Sequence, residues 1–183
     1  QYICFYGVGS YQLMLSQPKN ESQMGLRFQG IYRYFVQRDY ERVSLLLEEP
    51  ELLEALYLET DLQLYYYYLG SCEFFVEKNH VTALQSLRKG LSYTYNQDKQ
   101  FVSTIEVQML SCIGYVLKES GQREKALVEL KKSYDFAEKL PYERKIFELA
   151  KVYYHYGEFL FEEKDYKEAF IVVARGLSFV QQF

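Results

Sequence analysis

The sequence predicts an all-α chain, a row of about four long helix pairs, and three observations carry that expectation. Glycine and proline number only 10 and 3 in 183 residues, too few for a sheet protein that turns every few residues. Apolar residues recur at three- and four-residue steps through most of the chain, the period of a helix with one buried face. A longer pattern then returns at a fixed interval: Ala83, Ala126 and Ala169 stand 43 residues apart. A period of that length marks an array of supersecondary units.

Taken in chain order, residues 1–15 read as what remains of an earlier helix, without the positive stretch that opens a secretory signal. The first unit, residues 20–50, is the faintest. Its "QRDYERVSLLLEE" parallels the later "EKDYKEAFIVVAR" and puts Val43 in the alanine position, 40 residues before Ala83. In the second unit, residues 51–97, Ser71 stands as the small residue twelve before Ala83, with Phe74 nine before, Leu87 four after and Gly90 seven after. The third unit, residues 98–140, is the clearest. Asp98 can cap a helix from about Lys99, whose face is Phe101, Ile105, Leu110, Ile113, Val116 and Leu117. Ser120-Gly121 stops it, with Gly121 as the left-handed cap. A second helix from about Arg123 to Lys139 buries Ala126, Leu127, Leu130, Tyr134 and Ala137. The fourth unit, residues 141–183, opens on Pro141 and Glu143 in a first helical turn and repeats the pattern through Gly157, Leu160, Ala169, Val173 and Gly176. Gly114 and Ala126, twelve apart across their turn, let two helices approach closely.

Composition narrows the function classes. A net charge of −4 argues against a generally basic nucleic-acid surface. Cys4, Cys72 and Cys112 are odd in number and far apart. They read as reduced, buried small hydrophobes, which suits the cytoplasm. The apolar runs near residues 65–76 and 105–117 are too short and too interrupted to span a membrane. His155 and Glu158 share a helical face but have no second histidine close by, with His80 in a loop segment, so no metal or other cofactor is expected. Gly7 and Gly9 lack the third glycine of a dinucleotide loop, and no nucleophile is paired with a base, so the chain reads as no enzyme. The acidic residues Glu48, Glu49, Glu51, Glu54, Glu59 and Asp61 read as a solvated helix face broken at Pro50.

On Leu110, Ile113, Gly114, Leu117, Ala126, Leu130 and Ser133, and on Tyr153, Tyr156, Gly157, Leu160, Ala169, Val173 and Gly176, the chain resembles the tetratricopeptide repeat. The period exceeds the usual 34 residues and falls in the range of HEAT pairs; the Gly/Ala spacing favours the tetratricopeptide. Helices about a turn longer than standard would account for the excess. The family's first Trp is absent, and its closing Pro is matched only loosely by Pro141. The resemblance implies a right-handed superhelix. Long Tyr/Phe-rich units with second helices like "EKALVELKKSYDFAEK" further resemble the C-terminal domains of Rgg/PlcR-type transcription regulators. That resemblance implies a cytoplasmic, homodimeric sensor that binds a short signalling peptide and reaches DNA only through a separate N-terminal domain.

In such a superhelix the first helices line the concave face. Counting three and six residues before each small residue, and one and four after, selects the inner positions. They are Tyr65, Tyr68, Cys72 and Phe75 in the second unit, Gln108, Ser111, Tyr115 and Lys118 in the third, and Lys151, Tyr154, Glu158 and Phe161 in the fourth. The first unit offers Gly25, Phe28, Tyr32 and Phe35. Aromatic faces interspersed with Gln, Ser and Lys suit an extended peptide. The same rings also suit packing between neighbouring helices with their hydroxyls wet. The expected function is peptide sensing; the alternative is an adaptor that holds a partner protein's segment without switching. The apolar run Gly176 to Phe183 is the expected dimer contact.

Overall fold

The computed structural model describes residues 23–96, 98–99 and 101–183, with side chains from Arg27 onward. The expected remnant helix, Cys4, Gly7 and Gly9 lie outside these residues, as does the side-chain setting of Gly25. Among the described residues the structure is all-helical: α1 Gln23–Val36, α2 Tyr40–Leu47, α3 Pro50–Glu54, α4 Glu59–Phe75, α5 His80–Ser92, α6 Thr104–Glu119, α7 Arg123–Lys139, α8 Ala150–Glu162 and α9 Tyr166–Val180. Two 3-10 turns, Tyr142–Arg144 and Phe147–Leu149, precede α8.

The closest packing pairs α4 with α5, α6 with α7, and α8 with α9. In addition α4 touches α6 and α6 touches α8, so the first helices form a continuous row. The second helices α5 and α7 each also lean on the next first helix.

The sequence period has a backbone counterpart. Four turns join the helices of a pair, and each holds one residue with positive φ: Arg38 at 60°, Lys78 at 57°, Gly121 at 78° and Lys164 at 65°. Each is followed at once by the N-cap of the second helix, namely Asp39, Asn79, Gln122 and Asp165. Each stands five residues before the small apolar residue Val43, Ala83, Ala126 or Ala169, all buried. The N–H of Asp39, Gln122 and Asp165 donates to the carbonyl five residues back, at Tyr34, Leu117 and Leu160, a helix stop that satisfies an orphan carbonyl. In the second unit the Asn79 N–H reaches six residues back, to Glu73. That turn is one residue longer.

The extra residue corrects the register of the second unit. A Cβ on Gly114 would meet Leu130 Cγ at 2.6 Å, and one on Gly157 would meet Val173 Cγ2 at 2.7 Å. The residue of the second unit in this role is Gly70, where a Cβ would meet Leu87 Cγ at 2.7 Å. Ser71, expected there, instead donates its hydroxyl to the Tyr67 carbonyl within α4.

Other boundaries differ from expectation for local reasons. Helix α6 starts at Thr104 because Ser103 and Glu106 form a capping box, leaving Phe101 exposed outside the helix. Glu106 is fully buried and accepts from Lys99 Nζ at 2.6 Å, Thr94 Oγ1 at 2.6 Å and the Ser103 N–H at 2.6 Å. Burial alone would raise its pKa; these donors more than reverse that and lower it. Pro141 opens the first 3-10 turn, and α8 begins only at Ala150. Much of the length beyond 34 residues therefore sits in connectors between units. The helix Arg123–Lys139 stands where expected, except that Leu127 is exposed. His80 is the first residue of α5, behind its Asn79 cap, and not in a loop. Pro50 begins a short helix, with Glu48, Glu49, Glu51, Glu54 and Glu59 exposed and Asp61 half-buried.

Candidate functional site

Recounting from Gly70 moves the inner positions of the second unit to Leu64, Tyr67, Ser71 and Phe74. Tyr65, Tyr68 and Cys72, expected on the inner face, are instead buried in the core. Tyr65 donates toward the Leu47 carbonyl, Tyr68 packs against Phe28 and Phe35, and the Cys72 thiol donates to the Tyr40 carbonyl. Burial pushes the Cys72 thiol up to about 12, so it is no nucleophile at neutral pH. Phe75 is partly exposed and stacks on Tyr40 at 4.5 Å. In the first unit Phe28 is buried, while Tyr32 and Phe35 are half-buried.

The recounted positions meet across the row of first helices, each helix contributing residues about one turn out of step with the next. The Tyr67 hydroxyl of α4 donates to Gln108 Oε1 of α6 at 3.4 Å and accepts a hydrogen bond from Lys151 Nζ of α8. Phe74 of α4 makes an edge contact with Tyr115 of α6 at 5.8 Å, and Tyr115 stacks on His155 of α8 at 4.5 Å. His155 Nδ1 lies 2.9 Å from Ser111 Oγ. Lys118 Nζ pairs with Glu158 at 2.6 Å, and Tyr154 donates to the other Glu158 oxygen at 2.7 Å. From the first unit, the Tyr32 hydroxyl reaches Glu148 beside α8 at 2.6 Å.

The strip is thus an aromatic run, Phe74, Tyr115, His155 and Tyr154, bordered by polar groups. Gln108, Ser111, Tyr115, Lys118, Lys151, Tyr154 and Glu158 of the expected set fall along it, but Gln108, Ser111 and Lys118 are buried and not exposed as expected. Tyr67, Phe74 and His155 were missed as binding residues. The overlooked signal was that Gly70 matches Gly114 and Gly157 in residue type where Ser71 does not.

Burial governs the electrostatics of the strip. Lys151 and His155 each keep an edge open to solvent, yet enough protein surrounds them to disfavour charge. Burial lowers the Lys151 pKa, opposed by Cys112 and Glu148. It also lowers that of His155 to about 3, with Lys151 and Lys118 adding repulsion. Burial likewise pushes the Tyr67 phenol well above its ordinary value. Lys118 is the exception: burial would lower its pKa, but Glu158, Glu162 and Glu119 together raise it.

A buried donor on the strip is unsatisfied. Gln108 is 2% exposed and its Nε2 has no partner among the described residues. A buried amide donor without an acceptor costs on the order of 1 to 3 kcal/mol, which a bound acceptor would recover. An open cleft of about 430 Å³ between α7, α8 and α9 offers no such vacancy at its centre. There Glu138 accepts from both Tyr153 and Arg175, so the central groups satisfy one another.

Among the described residues, no group of three or more His, Cys, Asp or Glu side chains is placed to hold a metal ion. None of their helices is long and apolar enough to cross a membrane. No protein-family model matches the chain, and no curated protein matches it either.

Proposed function

We propose that the chain is a non-catalytic recognition domain whose units wind into a right-handed tetratricopeptide-like superhelix and bind an extended peptide along the row α4, α6 and α8. The observation that carries this reading is the Gln108 amide, buried with its carbonyl side held by Tyr67 and its NH2 unclaimed. A peptide backbone or carboxylate supplies the missing acceptor, and Phe74, Tyr115 and Tyr154 supply apolar faces at small rotamer cost.

The resemblance to Rgg/PlcR-type domains extends the proposal to a peptide sensor of a cytoplasmic, homodimeric transcription regulator that touches DNA through a separate domain. One feature supports switching over static scaffolding. The Tyr67–Lys151 bond links the second unit to the fourth, and the Tyr32–Glu148 bond links the first to the fourth. A ligand that takes these donors favours a different arrangement of the units, which is the differential binding that switching needs.

Native mass spectrometry of the protein purified from its own host tests the reading by finding a co-purifying peptide. Tyr154→Ala combined with Phe74→Ala should then weaken that peptide at least about tenfold, or 1.4 kcal/mol, with helical circular dichroism retained. An unchanged dissociation constant removes the face from consideration. A peptide that binds with no change in the spacing of the units leaves the scaffold alternative.

A further inference from the structure

We infer that Tyr67, Gln108 and Lys151 form a seat for one carboxylate of the bound peptide, an inference that rests on the inner-face reading above. Lys151 Nζ donates to the Tyr67 oxygen, and the Tyr67 hydroxyl donates onward to Gln108 Oε1. That chain uses one of the three ammonium hydrogens and none of the amide hydrogens. The cluster therefore holds more donor hydrogens than its own three side chains accept, with Glu148 and Cys112 acting on Lys151 without an ion pair to it.

Three facts make the surplus specific. Gln108 is almost wholly buried and no described residue serves its Nε2, so a carboxylate reaches it as the Tyr67–Gln108 contact opens. Lys151 forms no ion pair among the described residues, whereas Lys118 on the same strip is shared by three carboxylates. The three side chains come from three different units, so the seat exists only in the assembled row. A carboxylate is acceptor-only, with two oxygens able to take several donors at once. An ammonium with no described carboxylate within ion-pair distance matches its single charge.

The carboxylate can belong to the peptide's C-terminus or to an Asp or Glu side chain, and the test separates the two. Peptides are selected from a randomised heptapeptide library on the immobilised chain, then resynthesised as C-terminal amides and, separately, with each Asp or Glu changed to Asn or Gln. Neutralising one carboxylate should weaken binding to the unaltered protein at least tenfold. The same change should weaken binding to Lys151→Met or Gln108→Leu by less than twofold, because the seat is already lost. Loss only in the amides assigns the terminus; loss only in the Asn or Gln forms assigns a side chain.

If every neutralised peptide binds the unaltered protein as tightly as its parent, the seat is overturned and the peptide reading stands. Equal losses in the unaltered protein and both variants overturn it in the same way. Recovered peptides that are indifferent to Tyr154→Ala with Phe74→Ala, or a library that yields none, overturn the inner-face reading and the seat with it. The comparison of acid with amide on the unaltered protein needs no variant to fold.

Discussion

Lys118 Nζ lies 2.6 Å from Glu158 Oε2, and this contact fastens the first helix of the third unit to that of the fourth. The same ammonium lies 2.9 Å from Glu162 and 3.1 Å from Glu119, with the Lys118 side chain only 4% exposed. Arg123 takes the other Glu162 oxygen and also pairs with Glu163. Three donors meet three carboxylates, so Lys118 has nothing left for a ligand and acts as a clamp between units.

Replacing the clamp should therefore act on stability. Lys118→Met leaves Glu158, Glu162 and Glu119 around an apolar side chain. Removing one partner of a fully buried pair costs about 3 to 5 kcal/mol; here the carboxylates keep some water, so the loss falls below that range. Urea unfolding at neutral pH measures it. Adding Glu158→Gln should return part of the loss, and a variant with the original midpoint would show the network to be idle.

Two glycines in helices should respond to alanine with opposite signs. At Gly114 a Cβ lands 2.6 Å from Leu130 Cγ and 3.0 Å from the Leu130 backbone nitrogen, neither of which is a free side-chain end. Gly114→Ala is expected to cost about 1 to 3 kcal/mol by overpacking. A Cβ on Gly30 of α1 meets nothing within 4 Å, so Gly30→Ala should gain about 0.5 to 1 kcal/mol from helix preference. Thermal melts of both variants decide it, and a shared sign would contradict the packing.

These glycines also show what was legible beforehand. The spacing of Ala83, Ala126 and Ala169 announced the units because a close helix approach needs a small residue at a fixed distance from the turn. The extra residue in the second turn was not legible. Counting back from Ala83 fell on Ser71, a plausible small residue, and rotated the predicted face by about 100°. That one step placed Tyr65, Tyr68 and Cys72 on the groove and passed over Tyr67, which is buried but reaches Gln108 and Lys151 with its hydroxyl. The late start of α6 was hidden for a different reason. Asp98 and Ser103 are both good caps, and only the buried Glu106, with Lys99 and Thr94 around it, decides between them.

The four turns predict which positions want glycine. Gly121 has φ of 78°, and Lys164 occupies the equivalent place at 65°. A side chain there costs about 1 to 2 kcal/mol in helical stretches of the left-handed region, less the entropy that glycine adds to the unfolded chain. Gly121→Ala should lower the melting temperature and Lys164→Gly should raise it. Lys164→Gly carries the sharper risk, because a lowered melting temperature would mean that the Lys164 side chain contributes more than its backbone strain costs.

His155 gives the fold a pH dependence that begins above the ordinary carboxylate range. Burial, then Lys151 from its own helix, then Lys118 from α6 lower its pKa to about 3, with Arg38 after α1 adding to them and the hydrogen bond with Ser111 opposing. Tyr115 covers one face of the ring, and Tyr154 stands at its edge, 6.0 Å away. An unfolded histidine titrates near about 6.5, so between that value and about 3 the unfolded chain binds more protons than the folded one. Stability is therefore fully present above about 6.5 and falls as the pH drops, with a slope below about 1.4 kcal/mol per pH unit because the ring keeps an open edge. Glu106 and Glu162 have lowered values too, but their losses begin only as the pH enters and passes below the ordinary glutamate range. Burial raises Asp61 and Glu73, which contribute with the opposite sign as the pH falls toward them, so the histidine's share between pH 7 and 5 is read as the difference between the unaltered protein and a variant at His155. His155→Gln, which can still bond Ser111, should flatten the curve in that interval and leave the steeper loss at lower pH in place; parallel curves for the two proteins would remove His155 as its source.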